Sequence, residues 1–118
     1  MKQNGSLADL NYPLISPSGN YEAIIEAFDD SGVRSFRLFI SDLKINDSPY
    51  QAEITFRLRD SNFIFWADEA DILWCYNGDI GTYFWLKENG AWTKKGYADN
   101  PEAKVPQALK EARPNRYK

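Results

Sequence analysis

Two Asn-Gly pairs, Asn77-Gly78 and Asn89-Gly90, divide the second half of this 118-residue chain into short runs of alternating polarity. Glycine accepts a positive φ freely and asparagine tolerates it, so each pair suits a tight turn between antiparallel strands. The flanking runs fit that reading: residues 63–66, 72–76, 82–86 and 91–97 read as strands, with a further turn expected at Asp60-Ser61-Asn62. The period of two begins earlier. Phe36, Leu38 and Ile40 alternate with Arg37, Phe39 and Ser41, and Ala52, Ile54, Phe56 and Leu58 alternate with Gln51, Glu53, Thr55, Arg57 and Arg59. Sequential hairpins of this kind imply an antiparallel meander.

Both ends of the chain read differently. The first 20 residues are rich in Asn, Ser, Gly and Pro, which marks an irregular lead-in. Ala23, Ile24, Ala27 and Phe28 then recur at three- and four-residue spacing, between a cap at Ser18 or Asn20 and a stop at Asp29-Asp30-Ser31-Gly32. This spacing predicts a helix near residues 21–30, although the consecutive Ile24-Ile25 pair also permits a strand. Val105, Ala108, Leu109 and Ala112 predict a C-terminal helix with Pro106 in its first turn, followed by a basic tail over residues 113–118. The expected fold is therefore α+β: an antiparallel β-meander of five to six strands packed with an N-terminal helix and a C-terminal helix. Its length suits a single domain over residues 1–118.

Composition narrows the chemistry. The chain has no histidine, which excludes a Ser-His-Asp triad, a Cys-His pair and histidine-ligated zinc. Its lone cysteine, Cys75, excludes an internal disulfide and a CxxC pair; placed between Trp74 and Tyr76, it reads as a small buried hydrophobe. No catalytic residue, metal site or cofactor is expected. The lysine at position 2 is followed by no sustained apolar stretch, and no run of ~18 apolar residues suggests a membrane span. A cytoplasmic location is the simplest expectation.

The net charge of -3 divides unevenly. Residues 1–86 carry 13 acidic and 6 basic side chains, a net of -7, whereas residues 87–118 carry 4 acidic and 8 basic, a net of +4. An acidic body argues against nucleic acid as the partner and suits a basic protein. Lys94, Lys95, Lys104 and Lys110 read as solvated cations on the last hairpin and near a helix C-terminus.

The most unusual stretch is residues 61–86, with four carboxylates, no Lys or Arg, and eight aromatics. Neighbours such as Phe65 and Trp66 point to opposite sides of a strand, so these aromatics either fill a two-sided core or form a recognition surface. On the second reading Trp66, Asp68, Glu69, Asp71, Trp74 and Asp79 contribute to a partner-binding surface, since aromatics concentrate at interface hot spots and flanking charge steers a basic partner. Replacing Asp68, Glu69 and Asp71 together would then slow association with little change in stability. Asp68-Glu69-Ala70-Asp71 spells the signature of a helicase family, but no phosphate-cradling GxxxxGK[ST] loop accompanies it. Calcium-loop spacing is also absent. Asn46-Asp47-Ser48, followed by Pro49, reads as a turn.

In its acidic, compact character, its aromatic run from Phe63 to Trp66 and its segment Tyr83-Phe84-Trp85-Leu86 to Trp92, the chain resembles the small bacterial immunity proteins of contact-dependent or polymorphic toxin systems. The resemblance implies a non-catalytic inhibitor that covers the active site of a cognate toxin, its acidic groups standing in for phosphates that a nuclease toxin expects. The competing reading is a small-molecule or carbohydrate-binding pocket domain, with a carboxylate-pair enzyme as its catalytic form.

Overall fold

In the computed structural model, residues 14–45, 48–57 and 62–112 are described. Nine strands form two antiparallel sheets among them. The first sheet holds β1 (Leu14–Ile15), β2 (Tyr21–Asp30), β3 (Val33–Asp42), β4 (Tyr50–Gln51) and β5 (Phe56–Arg57). The second is a meander of β6 (Asn62–Trp66), β7 (Leu73–Asn77), β8 (Gly81–Glu88) and β9 (Ala91–Gly96). A 3-10 turn, Tyr97–Asp99, and one short helix, α1 (Gln107–Ala112), follow.

The α+β expectation is overturned: among the described residues the fold is mostly β, in two sheets, and the helix expected near residues 21–30 is a strand. Residues 21–30 form β2, which pairs with β3 along its whole length from Tyr21↔Asp42 to Asp30↔Val33. The physical reason lies in the turn. Ser31 and Gly32 both take positive φ, 52° and 91°, the combination of a type I′ hairpin. Hairpin closure then selects the alternating face Ala23, Ile25 and Ala27 over the helical set, and those residues pair with Ile40, Leu38 and Phe36. β-branched Ile24 and Ile25 suit this pleated surface.

The meander over residues 62–96 follows the expected hairpins. At its second turn Asn89 and Gly90 take φ 55° and 81°. At its first, Asn77 Oδ1 accepts the backbone N–H groups of Asp79 and Ile80, at 2.8 and 2.9 Å, which rounds the corner before Gly81. The run 51–57 is broken rather than continuous. β4 and β5 both pair with β3, opposite Phe39–Ile40 and Ser35–Phe36; between them Ala52 N–H donates to the Leu38 carbonyl at 2.8 Å, and residues 53–55 belong to no strand. The proposed strand residues Leu58 and Arg59, the turn at Asp60 and Ser61, Asn46 and Asp47, the lead-in 1–13 and the basic tail 113–118 lie outside the described residues.

Alternation along each strand builds two cores on opposite sides of the second sheet. Phe36, Leu38, Ile40 and Phe56 of the first sheet meet Ile64, Trp66, Leu73, Cys75 and Trp85 of the second to form a sandwich interior. The intervening residues Phe65, Trp74, Tyr76 and Phe84 face the other way and are covered by Val105 and Leu109. Each large side chain buried in this way contributes about 1.5–3 kcal/mol. Cys75 is fully buried, and burial raises its thiol above the ordinary range. Polar ties also join the sheets: Trp66 Nε1–H donates to the Leu14 carbonyl at 2.9 Å, and Arg57 pairs with Asp79 at 2.9 Å. On the outer face of the first sheet the Arg37 guanidinium lies 3.8 Å from the centre of the Phe28 ring and is bonded to Glu26 at 3.2 Å. No helix among the described residues is long and apolar enough to cross a membrane.

Candidate binding cleft

The second sheet's helix-bearing face is only partly covered, because α1 is short and the chain before it crosses the sheet as irregular backbone. A cleft of about 560 Å³ remains between the turn 67–72 and the segment 100–104. Its volume lies within the range of small-ligand and side-chain sites. Each wall is held by its own backbone bonds. Ala67 N–H donates to the Ile72 carbonyl at 2.8 Å and Ile72 N–H to the Ala70 carbonyl at 2.9 Å. Across the cleft, Ala103 N–H donates to the Asn100 carbonyl at 3.0 Å, and Asn100 Nδ2 donates to the Gly96 carbonyl at 2.9 Å.

Ile72, Trp74, Phe84 and Leu86 make the floor. Trp74 and Phe84 stack with ring centres 4.5 Å apart at 21°, an offset-stacking geometry that fixes both rings. The indole Nε1–H of Trp74 is buried and has no hydrogen-bond partner among the described residues, which costs about 1–3 kcal/mol for a sealed donor. The rim is charged. Asp68, Glu69, Glu88 and Glu102 supply four carboxylates against Lys95 and Lys104. Lys95 is already paired with Glu88 at 3.1 Å, and the Asp68 carboxylate accepts the Gln107 backbone N–H at 3.1 and 3.3 Å, capping α1 from another part of the chain.

Of the six residues expected on the partner-binding surface, the fold brings Asp68, Glu69 and Trp74 to this cleft, Trp74 as a floor residue only 1% exposed. Trp66 is 2% exposed and sits on the opposite face of the sheet, in the sandwich interior. Asp71 turns away: its carboxylate accepts the Ser18 hydroxyl at 2.6 Å and the Ser18 N–H at 3.2 Å. Asp79 lies beyond the far end of β7, in the turn where it meets Arg57. The eight aromatics therefore mainly build the two-sided core. Glu102, Lys95 and Lys104 were missed as site residues, because nothing in the local pattern places the segment 100–104 over the middle of the sheet.

A second polar cluster closes the sandwich edge. The Glu53 carboxylate accepts hydrogen bonds from the Tyr50 hydroxyl and, at 3.2 Å, from Nε1–H of the fully buried Trp85. Burial works against the charge of Glu53, but the two hydrogen bonds and nearby Lys94 outweigh it and hold the carboxyl below its usual range. Burial raises the Tyr50 phenol, with Glu53 adding to the effect. Among the described residues no group of three or more Cys, Asp or Glu side chains is placed to hold a metal ion. Compared with known proteins, the chain matches no family model, no curated protein and no solved structure.

Proposed function

We propose that this chain is a non-catalytic binding protein that receives a basic protein partner at the cleft, in the manner of the toxin-neutralising immunity proteins whose character its sequence shares. The supporting observation is the cleft itself: an apolar floor under a rim with four carboxylates and two lysines, one of them already neutralised by Glu88. An apolar centre with charge at its edge is the anatomy of a protein-binding site, and excess negative charge accelerates encounter with a basic surface. The test is co-expression with the product of the adjacent upstream gene. Growth protection by the wild-type chain, together with association of the purified pair that slows as salt is raised, supports the reading; no protection and no complex would sink it.

The cleft volume favours one second reading, a pocket for a neutral small molecule or sugar. A rise in melting temperature with a neutral monosaccharide, with no protein partner bound, would put that reading first.

A further inference from the structure

The rim carboxylates are not equivalent. Asp68 is engaged by the N-terminus of α1 and Glu88 by Lys95. Glu69 and Glu102 make no hydrogen bond or ion pair among the described residues, and they stand on the two segments that wall the cleft. Beneath them Ile72 and Leu86, half-buried over the Trp74–Phe84 stack, give a surface suited to methylene groups rather than to a bare ion. Long cationic side chains combine these requirements, since lysine and arginine lay an apolar stem along hydrophobic surface and keep the charged head at the polar edge.

We propose that the cleft takes a single lysine or arginine side chain presented by a peptide segment of the partner, with its stem on Ile72 and Leu86 and its cationic head between Glu69 and Glu102. The inference rests on the protein-partner reading and names the group that the partner brings. It explains why the floor is apolar although the rim is acidic: an arginine or lysine binds through both.

The experiment uses defined probes. The purified full chain, labelled with ¹⁵N, is titrated with acetyl-Gly-Arg-Gly-amide, its lysine counterpart, and the citrulline and norleucine peptides that keep the stem and remove the charge. The arginine and lysine peptides are expected to move the Trp74 indole and the Leu86 and Ala103 amide resonances saturably, binding about tenfold more tightly than the neutral peptides at low salt. Glu69→Gln with Glu102→Gln should remove that preference while leaving the rest of the spectrum in place, because both side chains are exposed and unpaired. Equal binding of citrulline and arginine, shifts confined to another face, or no shift with any probe would overturn the proposal. Growth protection that survives the double substitution would leave the protein-partner reading standing while this inference falls. A retained arginine preference in a chain that protects against no toxin would do the reverse.

Discussion

Glu53 sits in the bend between β4 and β5 of the first sheet and Trp85 on β8 of the second, and the indole N–H of Trp85 donates to the Glu53 carboxylate at 3.2 Å. Trp85 is fully buried, so Glu53 supplies the acceptor that its ring nitrogen needs at the edge of the sandwich. Ala52 N–H still donates to the Leu38 carbonyl of β3 at 2.8 Å; beyond it the strand is interrupted until β5, and Glu53 reaches the second sheet in place of a continued strand.

Replacing Glu53 by Gln keeps the shape and removes the charge. Because Glu53 is partly solvated, the loss should be about 1 kcal/mol at neutral pH. The carboxyl is held below its unfolded value, so its contribution is full above about pH 5 and fades as pH falls below the ordinary Glu value of about 4.3 toward the lower folded one. Urea unfolding of both proteins at neutral and acidic pH checks this: the gap should narrow in acid, and a gap that is constant across pH would assign the effect to packing.

Asp68 and Asp71 have structural partners, so replacing them tests folding as well as binding. Asp68→Ala removes the cap of α1 and should cost about 1 kcal/mol, whereas Glu69→Gln should stay within about 0.5 kcal/mol of wild type. Thermal melts of the two single variants separate them. The triple replacement of Asp68, Glu69 and Asp71, expected from the sequence to change stability little, would also remove the contacts to Gln107 and Ser18.

Trp66 and Trp74 are buried in opposite cores and differ in what their ring nitrogens meet. Trp66→Phe leaves the Leu14 carbonyl without its donor, whereas Trp74→Phe removes a donor that has no partner. With similar volumes lost, Trp66→Phe should be the more destabilising by about 1–2 kcal/mol. Equal losses in chemical denaturation would mean that the Trp66 hydrogen bond contributes nothing net.

Asn77 is buried, accepts two backbone N–H groups of its turn and donates to Asn62 Oδ1 at 2.7 Å. Asn77→Ala leaves these groups unpaired and should cost about 2–4 kcal/mol, well beyond Asn89→Gly at the exposed second turn, where glycine takes the positive φ easily. Hydrogen exchange at Asp79 and Ile80 should rise in Asn77→Ala, and unchanged protection there would show that the turn holds without the side chain.

Local chemistry determined the hairpins. The turn pair Asn89-Gly90 and the alternation around it place β8 and β9 because both partners lie close in sequence, and β3 shows its core residues, Phe36, Leu38 and Ile40, by period alone. Residues 21–30 carry both periods at once, and pairing with β3 through the Ser31-Gly32 turn decided between them. Alternation also shows that Trp66 and Trp74 face opposite ways. Whether either face is covered depends on the first sheet on one side and on Val105 and Leu109 on the other, which are distant in sequence. The same holds for the cleft. Glu69 and Glu102 lie more than thirty residues apart along the chain. Only the crossing of the segment 100–104 over the second sheet sets them around one apolar floor, because side chains remote in sequence are brought together by packing and not by local pattern.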